Sequence, residues 1–326
     1  MLRFPHNLYA LSFVAAFLSA WLSLPLWRRA ALRWGIIDDP GHRKIHTTPV
    51  PLAGGFAVLT GLSVPVIAGT LAFSFGWISP NGSHAISHGL ERRSLQLAAI
   101  LCGAMAMLIL GLLDDRFELS PRWKFLGQLF IASSVAAAGV RITLFIPSVA
   151  VSYVVTVLWI LTLTNAFNFM DNMNGLCAGT ACIGAWFFSL TAASQGQYLV
   201  TLIGLIVCGA LLGFLPHNFP KATSFLGDAG SHLTGFLLSV LAILPHFYTA
   251  ARPNRLAVLQ PLFFLAVPLL DLVCVVLLRW RMGKPFYIGD TNHFSHRLVR
   301  AGCSKPLAVL ILWGAATLAG ALCFLA

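Results

Sequence analysis

Ten apolar segments follow one another along the chain, and each is long enough to cross a lipid bilayer as an α-helix of about 20 residues. The segments occupy residues 7–26, 52–73, 95–113, 124–140, 149–166, 175–194, 198–217, 229–246, 257–279 and 306–325. Charged residues make up only 10% of the chain, whereas soluble globular domains carry about 25%. The sequence therefore predicts an all-α, polytopic membrane helix bundle of about ten transmembrane helices. We expect it to form one integral-membrane domain over residues 1–326.

The basic residues divide unevenly between the two sides of the membrane that alternating spans define. The side holding the first residues carries six Lys or Arg, and the other side carries fifteen. Because cytoplasmic loops are enriched in Lys and Arg, the fifteen are predicted to face the cytoplasm in a multi-pass protein of the cell (inner) membrane. In a soluble protein the net charge of +11 would suggest nucleic acid. Here it indicates membrane lipids or an anionic substrate, with no nucleic-acid partner.

The acidic residues follow an independent pattern, since only Lys and Arg fixed the orientation. Asp271 lies within the ninth span near its inner end, and Glu91 is the one acid on the outer side. The other eight fall in or beside five inner loops and are Asp38, Asp39, Asp114, Asp115, Glu118, Asp171, Asp228 and Asp290. Carboxylates that gather on one membrane face from separate loops indicate a metal site or an acid–base site.

The stretch NAFNFMDNMNGL interrupts two apolar spans with four asparagines and one aspartate. On a helix, one side would hold Asn165, Asn168, Asp171 and Asn172. We expect the helix to stop at Asn174-Gly175. A polar face at the end of a membrane helix must line water, protein or ligand. Two interpretations follow: a binding surface for a nucleobase, sugar or phosphate, or a polar seam between packed helices.

Two further segments place aspartates at predicted helix ends. Asp114 and Asp115 end the third span, where the helix dipole disfavours carboxylates. They either form a solvated helix end or have a compensating cation beside them. Asp228 lies in a Gly-Asp-Ala-Gly-Ser turn that opens the eighth span. The glycines of this turn would let a ligand approach the backbone, but Asp228 or Ser231 could equally serve as the N-cap of the helix.

Two basic loops complete the pattern on the inner side. The loop 279–305 carries His293 and His296 three residues apart, followed by Arg297. Zinc is disfavoured there because the neighbours are hard carboxylates and the one cysteine of the loop, Cys303, lies seven residues beyond His296, whereas His and Arg suit phosphate oxygens. The loop 38–55 likewise gathers Arg43, Lys44 and His46.

These five segments, in this order, resemble the polyprenyl-phosphate N-acetylhexosamine-1-phosphate transferase family over roughly residues 35–302. The segment HRKIHTTPVPLAGG is more similar to the GlcNAc-1-phosphate branch than to the phospho-MurNAc-pentapeptide branch. The resemblance implies a helical bundle with a cytosolic active site and a magnesium cofactor, with manganese as the alternative. It also implies a UDP-sugar donor and a polyprenyl-phosphate acceptor, and it is compatible with a homodimer.

The resemblance further implies roles for individual residues. The catalytic set is Asp114, Asp115, Asp171, His293 and His296. The magnesium ligand is Asp228, helped by Asp115 or Asp171. The substrate-binding set is Asn168, Asn218, Phe225, Lys44, His46 and Arg297. One of the paired aspartates, Asp114 or Asp115, would accept a proton from the lipid phosphate or act as a covalent nucleophile.

Two departures from the family pattern bear on sugar specificity and on a metal contact. Asn174 replaces a common second carboxylate, and Ser295 stands where the middle histidine is usual. Other donors, such as a pentapeptide-bearing or modified UDP-hexosamine, therefore stay open. A secondary transporter is the non-enzymatic alternative, but transporters place ionisable residues near the bilayer midplane, whereas these carboxylates lie at the inner surface.

Overall fold

A computed structural model describes residues 4–38, 49–75, 80–143, 147–247, 255–285 and 291–325, without the side chains of 73, 80–91, 255 and 256. Several residues singled out above lie outside the described ranges, so their predicted roles stay predictions. They are Asp39, Arg43, Lys44, His46 and Asp290.

The described residues are almost entirely helical, which confirms the predicted fold class. The helices are α1 (His6–Trp34), α2 (Gly54–Ser74), α3 (Pro80–Phe117), α4 (Pro121–Ala137), α5 (Val149–Met170), α6 (Leu176–Ser194), α7 (Tyr198–Phe214), α8 (Gly227–Leu241), α9 (Gln260–Phe264), α10 (Ala266–Arg281), α11 (Phe294–Arg300) and α12 (Lys305–Leu322). Two short strands, β1 (Ile37–Asp38) and β2 (Val50–Pro51), pair antiparallel.

Each of the ten predicted spans coincides with a helix, although not all the helices are equally long. Seven are long and apolar enough to cross a membrane, and α10 together with the helical segment ahead of it, bent by 69°, would form an eighth span. The remaining two, α4 and α8, have 17 and 15 residues, fewer than the roughly 20 that a span requires. The structure thus supports a polytopic bundle.

Helix α8 is the centre of the bundle. Every residue from Ala229 to Leu241 is buried, as expected of a helix that other helices surround on all sides. It packs against α2, α3, α5, α6 and α7. The backbones approach closely where one partner is glycine: a Cβ atom on Gly235 would lie 2.6 Å from Cα of Thr164 in α5. Small residues allow such contacts between membrane helices.

The start of α8 is also tied to the start of α2. The backbone N–H of Gly54 donates to the carbonyl of Phe225, and the N–H of Phe225 donates to the carbonyl of Pro51. Because β2 leads directly into α2, these two bonds place the N-terminal ends of α2 and α8 side by side at the same end of the bundle.

The contact between α3 and the first turn of α8 leaves no room for a side chain at Gly111, where a Cβ atom would overlap backbone atoms of Asp228 and Ala229. We expect Gly111→Ala to lower stability by about 1–3 kcal/mol, because the two backbones must separate. Gly69→Ala is the matched control, since a Cβ atom there meets nothing within 4 Å. Thermal unfolding in detergent measures both, and equal unfolding temperatures would contradict the packing argument.

Candidate active site

Lys124, in the first turns of α4, lies at the meeting point of the predicted acidic residues. Its Nζ is 2.6 Å from Oδ2 of Asp114 and 3.1 Å from Oδ2 of Asp228. It also donates to Oδ1 of Asn168 at 3.3 Å. One ammonium group therefore joins the end of α3, the end of α5 and the start of α8, and its charge offsets part of the repulsion between the two carboxylates.

Asn168 and Asp228 hold each other directly. Nδ2 of Asn168 donates to Oδ1 of Asp228 at 2.7 Å and to Oγ of Ser231 at 3.0 Å. The side chain of Asp228 is 35% exposed, whereas that of Asp114 is only 8% exposed. Of these two carboxylates that share Lys124, Asp228 is therefore the one more accessible to a ligand.

Asp115 caps the N-terminus of α8 from a different helix. Its Oδ1 accepts the backbone N–H of Asp228 at 2.8 Å, and its Oδ2 accepts that of Ala229 at 3.0 Å. The expectation that Asp228 or Ser231 is the N-cap was wrong, since neither side chain caps this helix. A carboxylate is favourable here because unpaired N–H groups give a helix N-terminus partial positive charge. Gly227 has a φ of +71°, and a Cβ atom added at this position would lie only 2.8 Å from Oδ2 of Asp115.

Asp171 lies immediately beyond α5. The helix ends at Met170, so the predicted stop at Asn174-Gly175 was too late. Gly175, with a φ of +77°, is instead the N-cap of α6. Burial, followed by repulsion from the nearby carboxylates of Asp228 and Asp115, raises the pKa of the Asp171 carboxyl well above its usual range. Asp171, Asp228 and Asp115 are therefore close enough to influence one another electrostatically.

A second cluster forms around Asp271 of α10 and His293, the N-cap of α11. Nδ1 of His293 is 2.7 Å from Oδ2 of Asp271, and the backbone N–H of Phe294 donates to Oδ1 at 2.7 Å. Asp271 and His293 are both 4% exposed. Asp271 thus fixes both the ring of His293 and the start of α11, which makes it a positioning residue for the imidazole.

The C-terminal turn of α5 joins the two clusters. Phe169 presents its ring to His293 in a T-shaped contact, with centroids 6.1 Å apart, and Arg279 lies 5.0 Å from the centre of the same ring. Oγ of Ser295 donates to Oδ1 of Asn172 at 2.7 Å. Ser295, one of the two departures from the family pattern, therefore has a defined partner within the site.

The remaining predicted residues lie near the clusters but make other contacts. Asn218 is buried, and its side chain accepts the N–H of Gly175 at 2.6 Å and donates to the carbonyl of Ser224 at 3.0 Å. The carbonyl and the amino group of the Asn218 side chain therefore both hydrogen-bond to neighbouring backbone and hold these segments in place. Arg297 is exposed, and the His296 ring lies 6.3 Å from that of His293. The nucleotide and phosphate contacts predicted for Asn218, Phe225 and Arg297 stay predictions.

Two buried polar residues, Gln128 and His232, were not predicted from the sequence, although together with Asn165 they form the next layer into the bundle. Nδ2 of Asn165 donates to Oε1 of Gln128 at 2.7 Å, and Nε2 of Gln128 is 3.2 Å from Nε2 of His232. Gln128 and His232 follow Lys124 and Asp228 by four residues, so each pair lies on one helix face. That shared spacing was the available signal, but the sequence alone does not show which helix faces which.

The chemistry of the cluster suits a hard divalent cation. Within the described part of the chain, no three acidic, histidine or cysteine residues form a ready-made metal-binding group. Oxygens of Asp114, Asp228 and Asn168 nevertheless converge on the Lys124 ammonium. Carboxylate and amide oxygens are the ligands that magnesium prefers. The carboxyl groups of Asp115 and Asp171 lie near these oxygens, and burial together with the neighbouring carboxylates raises the pKa of Asp171.

A membrane helix bundle with carboxylates gathered at the ends of its helices is the arrangement expected of a membrane-embedded enzyme that acts on charged substrates. Residues 97–246, which run from α3 to just beyond α8, match glycosyl transferase family 4. The chain belongs to this family, as the following relatives also show.

Three relatives match nearly the whole chain. The probable undecaprenyl-phosphate N-acetylglucosaminyl 1-phosphate transferase of Bacillus subtilis is 31% identical over 310 residues, covering 93% of this chain and 80% of the relative. The decaprenyl-phosphate N-acetylglucosaminephosphotransferase of Mycobacterium tuberculosis is 33% identical, covering 88% and 74%. The undecaprenyl-phosphate alpha-N-acetylglucosaminyl 1-phosphate transferase of Escherichia coli K12 is 28% identical, covering 94% and 81%.

Replacing Lys124 tests whether its ammonium holds the cluster together. We expect Lys124→Gln to lower the free energy of unfolding by about 3 kcal/mol, because two partly buried carboxylates lose their shared cation. Arg122→Gln is the matched control on the same helix, since Arg122 is exposed. Thermal unfolding in detergent compares the two. An equal effect of both substitutions would show that the ion pairs do not stabilise the fold.

Proposed function

We propose that this protein transfers GlcNAc-1-phosphate, or a similar HexNAc-1-phosphate, from a UDP-sugar to polyprenyl phosphate and releases UMP. The observation that carries the proposal is the convergence of Asp114, Asp228, Asn168 and Lys124 at the ends of four helices. The names of the three relatives support the acceptor and the sugar. The family match supports glycosyl transfer.

The location of the site suits two substrates of opposite solubility. A UDP-sugar dissolves in water and a polyprenyl phosphate lies in the bilayer, so the two can react only at the membrane surface. The cluster lies at the ends of membrane helices, which matches this requirement. We place it at the cytoplasmic face of the inner membrane, because fifteen of the twenty-one Lys and Arg fall on that side of the predicted topology.

The proposed reaction joins two anions. A phosphate oxygen of the lipid attacks the sugar-linked β-phosphorus, and the bond from that phosphorus to the oxygen bridging it to the α-phosphate breaks, so that UMP leaves with that oxygen. Charge neutralisation and alignment are the main tasks of the protein in such a transfer. The arginine and histidine residues of the 279–305 loop are suited to bind the phosphates, and His293 is already held in place by Asp271.

Within the acidic cluster, the contacts suggest a division of tasks. Both oxygens of Asp115 are bonded to the first turn of α8, which favours a positioning role: Asp115 fixes the direction of Asp228. Asp228 is the accessible carboxylate and would contact substrate or metal. Asp114 would accept the proton of the lipid phosphate or, as the alternative, act as a nucleophile.

We propose magnesium as the cofactor, held by Asp228 with Asp171 or Asp115. Bound at this cluster, magnesium would offset the negative charge of the reacting phosphates. The support is the donor set: carboxylate and amide oxygens gather around a single cationic point, with further carboxylates alongside. Asn168 would keep Asp228 oriented through its 2.7 Å hydrogen bond.

The other functions considered find less support. A pentapeptide-bearing donor is disfavoured because the three relatives are named for N-acetylglucosamine. A secondary transporter would carry ionisable groups near the bilayer midplane. The one aspartate predicted deeper within a span, Asp271, is committed to His293 and to the start of α11.

Asp228→Asn tests the proposed activity most directly. We expect UMP release to fall by roughly 10²–10⁴-fold, because the accessible carboxylate loses its charge while its shape is kept. The assay combines purified protein, undecaprenyl phosphate, UDP-GlcNAc and magnesium, with a chelator as a separate arm. Glu118→Gln, which neutralises an exposed acid near the same cluster, is the control and should retain activity. Wild-type turnover by Asp228→Asn would refute the assigned role.

A double-mutant cycle tests whether Asp271 acts through His293. We expect Asp271→Asn to lower kcat by about 10–100-fold, as for other residues that orient a functional imidazole. The double variant Asp271→Asn/His293→Gln should be no slower than His293→Gln, because Asp271 then has no imidazole to orient. Multiplicative losses would instead mean that the two residues act independently.

A further inference from the structure

A large cavity lies at the end of the bundle opposite the acidic cluster. It is open to the outside, has a volume of about 820 Å³, and is lined by the N-terminal parts of α3 and α5 and by the segments that follow α4 and α8 and precede α9. Arg93 and Asp114 lie on the same helix, α3, 21 residues apart, which corresponds to roughly 30 Å along the helix axis. The cavity is therefore separate from the active site by about the thickness of the membrane core.

The rim of the cavity is basic. Arg92, Arg93, Arg141 and His246 line it, and its described lining residues include no aspartate or glutamate. Within the described parts of the chain, no carboxylate pairs with any of the three arginines. The Arg93 guanidinium lies 2.8 Å from Nε2 of His246, another residue of the cavity lining. Such a cluster favours an anion, and guanidinium groups bind phosphate especially well.

The walls of the cavity are apolar. Val155 and Trp159 of α5 face Ile243, Leu259 and Leu262 across it. The one polar atom of the Trp159 ring, Nε1, is already bonded to the carbonyl of Ser239 at 3.2 Å. Gln96, also in the lining, donates to the carbonyl of Gly139 at 3.2 Å. Apart from Thr143, the described wall side chains therefore offer mainly hydrocarbon contacts. A ligand that uses both the rim and the walls must be an amphiphile with an anionic head.

The backbone of α3 changes direction at this rim. Arg93 departs from helical geometry, with φ −117° and ψ 16°, at the point where the helix reaches the cavity. Kinks in helices have local causes, and neither proline nor glycine occupies this position. The irregular backbone instead coincides with the position at which two consecutive arginines reach the cavity.

We propose that this cavity binds an anionic phospholipid. The phosphate would lie among Arg92, Arg93 and Arg141, and the first part of the acyl chains would lie along Val155 and Trp159. The volume is within the range of about 300–1,000 Å³ that is usual for small-ligand sites. A free phosphate ion would use the rim but not the walls, so the structure favours the lipid.

Native mass spectrometry of the full chain in detergent tests this proposal. The protein is titrated with phosphatidylglycerol and, separately, with phosphatidylcholine that carries the same acyl chains. We expect wild-type protein to retain phosphatidylglycerol preferentially. Arg92→Gln/Arg141→Gln should weaken that retention by roughly thirtyfold, as expected for two basic residues near an anionic lipid. Arg33→Gln, an exposed arginine at the other end of the bundle, should leave it unchanged.

Two further measurements distinguish a specific lipid-binding site from general electrostatic attraction between the anionic lipid and the protein surface. Val155→Trp fills the cavity without changing its charge and should also weaken retention; unchanged retention would overturn the proposal. Equal retention of the two lipids by wild-type protein would overturn it too. Complete displacement of phosphatidylglycerol by millimolar inorganic phosphate would identify a free-anion site instead. The arginine variant removes no hydrogen bond between described residues, and thermal unfolding verifies its fold.

Discussion

The ammonium of Lys124 is the interaction on which the site depends. It supplies the positive charge in direct contact with Asp114 and Asp228, which would otherwise repel each other at the ends of two packed helices. The same group reaches Asn168, so that α3, α4, α5 and α8 meet at one atom. Buried or half-buried carboxylates are costly unless they are paired and hydrogen-bonded. The ammonium and the Asn168 amide provide that pairing.

Much of the architecture could be predicted from the sequence because its physical cause is local. A bilayer requires long apolar helices, so their number and order can be read from hydropathy. The gathering of acidic residues followed from the alternation of loops between two sides. The contacts of Asp115 could not be predicted in this way, because hydropathy does not reveal that α3 ends against the first turn of α8. For the same reason, the pairing of Asp271 with His293 and the buried Gln128 layer became visible only with the helices packed.

The contacts made at the end of α5 and just beyond it account for the dense spacing of amides there. Asn168 faces the acidic cluster, Phe169 faces the imidazole of His293, and Asn172 receives the hydroxyl of Ser295. This short stretch thus contacts two neighbouring groups of side chains, one around Lys124 and its aspartates and one around His293 and Asp271. In the proposed reaction, that arrangement would place phosphate-binding cations next to the carboxylates, which suits a transfer between two anions.

The two hydrogen bonds between Asp115 and the first turn of α8 restrict how this helix can move. An axial slip of α8 by a single residue is a movement of about 1.5 Å, enough to break both N–H contacts at once. At Gly111, the backbone of α3 packs directly against the same turn and leaves no space for it to move towards α3. The backbone of Asp228 is therefore held in a fixed register with α3, and in the proposed reaction the substrates would have to align with it.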